Sequence, residues 1–238
     1  MVRKHPHSVL AESWRQVWGP LNAEMERSGY QTLLVAGCLP SGGTTTAVSN
    51  LAAAFSASGK RVAVVDANFR RPRLAAAFGI DHSGPGLGDL LAGSVTLDET
   101  LVDTDSGIKL IAAGTPASRI FERLNNSEVD RFLAEMRSRF DVIIFDSPPA
   151  VVAGEAMVLA NRVDASVLVV RASHEQRGLV ARVANQLSDT RAEFLGMMLN
   201  RPRRTAGGYF KKNFATMAEF FLKSVSYTHL RAHETEAY

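Results

Sequence analysis

The sequence predicts an α/β fold in which a doubly wound, mostly parallel sheet carries helices on both faces. Short apolar runs alternate with amphipathic segments along the chain, as strands and crossover helices do in such folds. The runs are rich in Val, Ile and Leu, which is typical of strands buried on both faces. Polar motifs follow several of these runs, and ligands of this fold class bind where the strands end.

Six apolar runs are predicted strands, and four of the segments between them are predicted helices. The strands cover residues 32–37, 61–67, 108–114, 141–149, 165–172 and 193–200. The helices cover residues 45–58, 126–139, 155–161 and 176–188. A looser region, 79–107, contains glycines and a proline that favour turns, with one short helix at 88–93.

The composition predicts a globular domain without disulfides or a membrane span. Of the 238 residues, 46% are hydrophobic and 21% are charged, which is usual for such a domain. The single cysteine, Cys38, excludes an internal disulfide and is predicted to be a small buried residue beside a loop. No apolar run reaches the ~18 residues of a spanning helix. The net charge of +3 is small, so we expect a cytoplasmic protein without a nucleic-acid partner.

The chain divides into four predicted parts. Residues 1–30 form an N-terminal helical segment, whose Trp14 and Trp18 share a face that packs on the domain's own surface. Residues 31–202 form the main domain, and residues 203–223 form a basic and aromatic segment. The basic cluster within 200–212 is either a solvated loop or a contact for anionic lipid or an acidic partner. Residues 224–238 read as the in-frame translation of a sequencing adapter and are excluded from the fold prediction.

A glycine-rich turn between the first strand and the first long helix is a candidate phosphate site. Its residues are Pro40, Ser41, Gly42, Gly43, Thr44, Thr45 and Thr46. The glycines allow backbone N–H groups to turn inward, and the helix N-terminus adds the positive end of its dipole. On its own this turn is weak evidence, because many strand-to-helix turns carry glycine for geometry alone.

Two aspartates at strand ends strengthen the prediction of a nucleotide site. Asp66 closes the run VAVVD, and Asp146 closes the run VIIFD. Mg²⁺ prefers oxygen ligands, usually one or two carboxylates together with hydroxyl, water and phosphate oxygens. Either aspartate alone fits a turn or a helix cap, but both with a threonine-rich loop indicate a magnesium site.

These segments resemble the bacterial tyrosine kinases (BY-kinases) of capsule and exopolysaccharide export, which are P-loop proteins related to the MinD and ParA ATPases. The resemblance rests chiefly on RVAVVDANFRRPRL at 61–74 and DVIIFDSPP at 141–149. Similar stretches, including GLGDLLAG, IKLIAAGTP and VDASVLVVRA, extend it over roughly residues 10–202. The resemblance implies a P-loop NTPase fold, ATP and Mg²⁺ as cofactors, and protein tyrosine kinase activity.

The resemblance assigns roles to individual residues when the two sequences are aligned on Pro40. Thr45 falls at the magnesium-binding hydroxyl, within a loop, residues 40–46, that binds the nucleotide. Asp66 and Asp146 fall at the metal-linked catalytic acids, and Asp66 also activates the acceptor tyrosine. Asn200 falls at an asparagine that reads the adenine edge, although asparagine at a strand end is also a common turn former.

Three positions depart from the family pattern. Thr44 occupies the position of the loop lysine, Leu39 that of the alternative lysine of related ATPases, and Asn68 that of a second aspartate. Neutral hydrogen bonds contribute ~1 kcal/mol against ~1.5–3 kcal/mol for charged ones. Removing one preorganised charge stabiliser costs ~2.7–4 kcal/mol in the transition state. We therefore expect weak ATP binding and slow or absent turnover.

Four functions stay open from the sequence. The first is a degenerate BY-kinase that regulates polysaccharide export at the inner face of the membrane, through a transmembrane chain-length regulator or co-polymerase. The others are a working autokinase with a substitute cation, a MinD/ParA-type positioning ATPase, and a structural interaction domain without a ligand. A homo-oligomer also stays open, because the family's E-x-x-R-x-x-R oligomerisation pattern ends here in Trp18.

Overall fold

The computed structural model describes residues 9–115, 120–124, 127–172 and 174–200. All of them belong to one compact unit that ends at Asn200. The predicted segments 203–223 and 224–238, and the basic cluster after Asn200, lie outside the described residues, so the predictions made for them stay predictions.

Seven strands form the described sheet. They are β1 (Thr32–Gly37), β2 (Val62–Asp66), β3 (Leu101–Asp103), β4 (Lys109–Ile111), β5 (Val142–Asp146), β6 (Ala165–Arg171) and β7 (Glu193–Asn200). Their order across the sheet is β3-β4-β2-β5-β1-β6-β7. Every neighbouring pair is parallel except β3 with β4, which is antiparallel. The predicted fold class, a doubly wound and mostly parallel sheet, is confirmed.

The described helices cover both faces of this sheet. They are α1 (Val9–Ser28), α2 (Thr44–Ala57), α3 (Leu74–Ala77), α4 (Leu87–Leu91), α5 (Leu97–Thr100), α6 (Ile120–Leu124), α7 (Ser127–Arg139), α8 (Glu155–Ala160) and α9 (Arg177–Ser188). The predicted helices at 45–58, 126–139, 155–161 and 176–188 correspond to α2, α7, α8 and α9, and each bound agrees within one residue. Within the described residues, none of these helices is both long and apolar enough to cross a membrane.

Two apolar cores form because successive residues of a strand point to opposite faces of the sheet. Along β1, Leu33 and Val35 pack with α1 and α2 on one face. Leu34 and Ala36 pack with α7, α8 and α9 on the other. Burying one such leucine contributes roughly 1.5–3 kcal/mol, so the central strands fix the positions of the loops that follow them.

The N-terminal helix is part of the core that contains Leu33 and Val35. Trp14 and Trp18 of α1 pack against it, and the Trp18 ring meets Phe55 edge-on with centroids 6.2 Å apart. The prediction that these tryptophans pack on the domain's own surface is confirmed. Cys38, predicted to be a small buried residue, has no exposed surface.

The two edges of the sheet differ from the prediction. β7 was predicted to be buried on both faces, but it is an edge strand in which Met197 and Leu199 are 40% and 38% exposed. The prediction is wrong for β7 because apolar composition alone does not reveal whether a strand has one neighbour or two. The opposite edge, β3, was not predicted at all.

Candidate functional site

The candidate site lies where the central strands end. β1 runs into the turn that precedes α2, β5 ends at Asp146, and β2 ends at Asp66. Since β2, β5 and β1 are neighbours in that order, the two aspartates and the loop lie side by side along one edge of the sheet. Asp66 and Asp146 are direct partners in the register of β2 and β5.

Asp146 is bound to the loop through Thr45. The Thr45 hydroxyl donates a hydrogen bond of 2.6 Å to Oδ2 of Asp146, whose side chain is almost fully buried. Its other oxygen, Oδ1, is buried without a hydrogen-bond partner among the described residues. Burial, and then the negative charge of Asp66, raise the pKa of Asp146 to about 8, although the Thr45 hydrogen bond opposes the shift.

Asp66 is held by the turn that follows it. Oδ1 accepts the backbone N–H of Asn68 at 3.0 Å, and Oδ2 accepts those of Arg73 and Leu74 at 2.9 Å each. Burial raises the pKa of Asp66, and these three N–H groups oppose the rise because they favour the charged carboxylate. The carboxylate is therefore fixed in orientation next to Asp146.

The loop takes its shape from residues with left-handed backbone conformations. Ser41 has φ 64°, the only positive φ of a non-glycine residue in the described part of the chain, and Gly43 has φ 98°. α2 begins directly after Gly43, at Thr44. A Cβ atom on Gly37 would lie 2.6 Å from Oγ1 of Thr44, so the glycine leaves room for the side chain that replaces lysine. Pro40 and Thr46 are exposed on either side of the turn.

Asn200 lies across the same loop. Its Nδ2 donates a hydrogen bond of 2.8 Å to the carbonyl oxygen of Gly42. A Cβ atom on Gly43 would lie only 1.9 Å from that nitrogen, so glycine is required there by packing as well as by φ. The last residue of β7 therefore holds the loop, and the adenine-reading role of Asn200 stays a prediction.

The residues present suit ATP and Mg²⁺, because they offer oxygen atoms for the metal ion and N–H groups for the phosphates. The orphaned Oδ1 of buried Asp146, beside the Thr45 hydroxyl, supplies the oxygen ligands that Mg²⁺ prefers. The described residues contain no cluster of three His, Cys, Asp or Glu side chains able to hold a metal by themselves, so phosphate and water oxygens would complete the shell. The loop itself offers no lysine to the phosphates, since none occurs in the sequence between Lys4 and Lys60.

Two features near the site were not found from the sequence. Glu175, in the turn after β6, directs its carboxylate at the loop that follows β1. No motif marks this glutamate, because the contact is between residues far apart in the chain. A cleft of about 450 Å³ opens beside Asp66; residues lining it include Asp66, Arg73, Asp81, His82, Gly84 and Thr115. It lies on the side of Asp66 away from the loop, toward β4.

Comparison with known proteins gives consistent results. The family described as AAA domain matches residues 40–187. The chain is 29% identical to the putative tyrosine-protein kinase EpsB of Ralstonia nicotianae over 201 residues, which cover 84% of this chain and 27% of EpsB. It is 25% identical to the tyrosine-protein kinase YwqD of Bacillus subtilis over 88% of this chain and 90% of YwqD. It thus spans about a quarter of EpsB but nearly all of YwqD.

A solved structure agrees with these sequence relatives. The kinase domain of the Escherichia coli tyrosine kinase ETK superimposes with a TM-score of 0.81 and 25% identity. The match covers 87% of this chain and 81% of that domain. Relatives named as tyrosine kinases are therefore similar to this chain in both sequence and fold.

Proposed function

The chain belongs to the AAA domain family, and on this premise we propose that it is a tyrosine-kinase-like P-loop protein of capsular or exopolysaccharide biosynthesis that binds ATP·Mg²⁺ weakly and acts as a regulator. The kinase names of its relatives support the likeness to kinases. Weak binding and the regulatory role are inferred from the site itself.

The observation that carries the proposal is the contrast between Thr45 and Thr44. Thr45 donates a hydrogen bond to Asp146, which supports the proposed metal-binding half of the site. Thr44 stands where a lysine would neutralise the charge that develops on the transferred phosphoryl group. A neutral hydroxyl does not supply that charge, and catalysis suffers more than binding because the lost interaction is strongest in the transition state.

The residues that hold the nucleotide in this proposal all lie at the same edge of the sheet. The loop 40–46 offers N–H groups to the phosphates, and Thr45, Asp146 and Asp66 hold the metal. When bound, Mg²⁺ would neutralise phosphate charge. Asp66 is oriented by three N–H groups, which suits it to accept the proton of an incoming hydroxyl. Asn68, the neighbour that replaces a second aspartate, adds no charge.

The partner in this proposal is a transmembrane chain-length regulator or co-polymerase, which would bring the protein to the inner face of the membrane. Support comes from the resemblance to BY-kinases and from the basic cluster at 200–212, which suits anionic headgroups. A homo-oligomer remains compatible with it.

A working autokinase is a second candidate, favoured by the cleft beside Asp66. Its volume of about 450 Å³ is ample for an aromatic side chain, and Asp66 lies in its lining. The position is suitable for an acceptor tyrosine, since the loop lies on the other side of Asp66 and the metal ion would be held there by Thr45 and Asp146. This candidate needs a cation from elsewhere. Arg70, which follows β2 in the sequence, forms an ion pair with Glu155 at 3.6 Å.

The proposal is tested by calorimetric titration with ATP·Mg²⁺ and by transfer of labelled phosphate from ATP. We expect weak binding that requires Mg²⁺, and phosphate transfer near background. Tight binding with ready autophosphorylation would establish the autokinase instead. No binding in any condition would support a structural interaction domain.

A further inference from the structure

Glu175 is fixed against the phosphate loop by backbone groups from two strand ends. It lies in the turn between β6 and α9, where Oε2 accepts the N–H of Arg171 at 3.0 Å. Burial raises the pKa of Glu175, and the N–H groups of Arg171 and of Leu39, just after β1, oppose the rise together with the positive charges of Arg171 and His174. Both N–H groups belong to the main chain, so the carboxylate is held beside the loop by the fold itself.

The second oxygen of this carboxylate is unusual. Oε1 is buried and has no hydrogen-bond partner among the described residues. It lies 3.7 Å from the point that a Cβ atom on Gly42 would occupy. An unpaired buried anionic oxygen is unfavourable. Here it faces a turn whose N–H groups are suited to anions, so it adds negative charge where a phosphate ligand would also bring negative charge.

The thiol of Cys38 lies close enough to Glu175 to report the same charge. Burial, and then the negative charge of Glu175, raise the pKa of Cys38 to about 11. The carboxylate therefore acts electrostatically on Cys38, two residues before the loop. Cys38 is the only cysteine of the chain, so it is a natural reporter of that charge.

We propose that Glu175 is a specificity-determining residue of the loop, whose fixed charge opposes nucleotide phosphates and so discriminates most strongly against the triphosphate. The inference rests on the proposed function, because it takes a nucleotide as the ligand. It also goes beyond the missing lysine, because the loop lacks a cation at Thr44 and has an added anion beside it, at Glu175. Repulsion between like charges weakens with distance, so ATP, whose β- and γ-phosphates would lie in the loop, is affected more than AMP, and uncharged adenosine is not affected.

The variant Glu175→Gln separates charge from shape. The amide keeps an oxygen to accept the N–H groups of Arg171 and Leu39, and it removes the negative charge. Glu193→Gln is the matched control, because Glu193 begins β7 at the opposite end of the strands from the loop. Calorimetric titration with ATP, AMP and adenosine in the presence of Mg²⁺ measures the three ligands on the wild type and both variants.

We expect Glu175→Gln to tighten ATP binding about tenfold, to affect AMP less, and to leave adenosine unchanged, with no change in Glu193→Gln. Equal gains for ATP and adenosine would overturn the inference, because they would indicate a change of loop shape. An unchanged ATP affinity would overturn it as well.

A measurement of the Cys38 pKa without nucleotide tests this inference separately from the proposed function. With ¹³C-labelled Cys38, the carbon shift of the single cysteine is followed against pH in the wild type and in Glu175→Gln. We expect a lower Cys38 pKa in the variant, since one of its two causes is removed. If the thiol pKa falls but neither protein binds nucleotide, the proposed function is rejected together with the nucleotide as the ligand. If the wild type binds ATP and the variant changes neither the thiol pKa nor the ATP affinity, the inference alone is rejected.

Discussion

The Thr45 hydroxyl reaches across 101 residues of sequence to donate a 2.6 Å hydrogen bond to Oδ2 of Asp146. This bond joins the first turn of α2 to the end of β5. It satisfies one oxygen of a buried carboxylate and leaves the other without a partner among the described residues, where the proposed metal ion would bind.

Thr45→Val is expected to remove that arrangement with little change in shape. The Asp146 carboxyl group would lose the only side-chain hydrogen bond that it makes among the described residues. A buried polar group left unsatisfied costs about 1–3 kcal/mol. The free energy of unfolding should fall by about that amount, and nucleotide binding should lose its dependence on Mg²⁺. Urea unfolding and titrations with and without Mg²⁺ measure both effects. Thr46→Val is the control, because the exposed Thr46 side chain makes no such bond; equal effects of the two variants would contradict the expectation.

Asp146→Asn is expected to change how stability depends on pH. The folded-state pKa of Asp146 is raised to about 8 from 3.8, first by burial and then by the charge of Asp66. A group with a raised pKa contributes fully to stability at pH values below its unfolded-state pKa. This contribution is lost as pH rises from about 4 to about 8. The Asp146→Asn variant does not lose this contribution, because asparagine does not ionise. Its stability relative to the wild type should therefore increase between pH 5 and pH 8.5, and excess Mg²⁺ should narrow the gap by stabilising only the wild type.

Asp164→Asn is a control in which the effect of the substitution on stability should change with pH in the opposite direction. Burial opposes ionisation of Asp164, but the hydrogen bonds from Arg137 and from the backbone of Thr32 and Gln31 lower its pKa overall. Its contribution is present above the unfolded pKa and is lost as pH falls through the folded value. Asp164→Asn should thus be most destabilising near pH 7 and less so in acid. Parallel pH profiles for the two variants would show that neither shift controls stability.

Thr44→Lys is expected to strengthen ATP·Mg²⁺ binding. A charged hydrogen bond replaces a neutral one, and the difference of about 0.5–2 kcal/mol corresponds to about 2- to 30-fold in affinity. Thr46→Lys adds the same charge two positions further on, at an exposed residue, and should give a smaller gain. Calorimetric titration compares the two.

Asn68→Asp is expected to add phosphate transfer to the Thr44→Lys variant. The introduced carboxylate restores the charge that the second aspartate of the family motif carries. The double variant should transfer more labelled phosphate than either single variant. If the double variant binds no nucleotide, the pocket is closed and the chain is a structural domain.

Gly43→Ala is expected to destabilise the protein for two separable reasons. Its φ of 98° disfavours any Cβ, which costs about 1–2 kcal/mol, and Asn200 occupies the space. Gly59→Ala isolates the first reason, since Gly59 has φ 87° but nothing within 4 Å of its Cβ position. Thermal unfolding should show a larger loss for Gly43→Ala, and the Asn200→Ala change should recover part of the difference. Equal losses at both glycines would contradict the close contact.

Residues with strong local signals were predicted well from the sequence. β1 and β7 have the predicted bounds, because apolar runs bounded by polar residues and glycine determine where they begin and end. β3 was missed because Leu101–Asp103 is only three residues long and is defined by its antiparallel pairing with β4. Such pairing depends on tertiary contacts, which periodicity does not contain.

The same distinction applies to the candidate site. The loop and the two aspartates are recognisable because they follow strands directly, and the topology of the sheet brings strand ends together. Glu175 and the bond from Asn200 to Gly42 are not recognisable, since a glutamate or an asparagine in a turn has many roles. Their importance depends on β6 lying next to β1 and on β7 lying next to β6, which only the folded chain reveals.

Each part of the site lies at the end of a different strand, and this arrangement has an evolutionary consequence. Asn200, Glu175, the loop, Asp146 and Asp66 come from the ends of five neighbouring strands, and the cores beneath them do not depend on their side chains. A lineage under selection for folding alone can therefore lose turnover codon by codon while the gene still encodes a well-packed protein. Positions that touch no other site residue can also revert singly, whereas Thr45 with Asp146 and Gly43 with Asn200 have to change together.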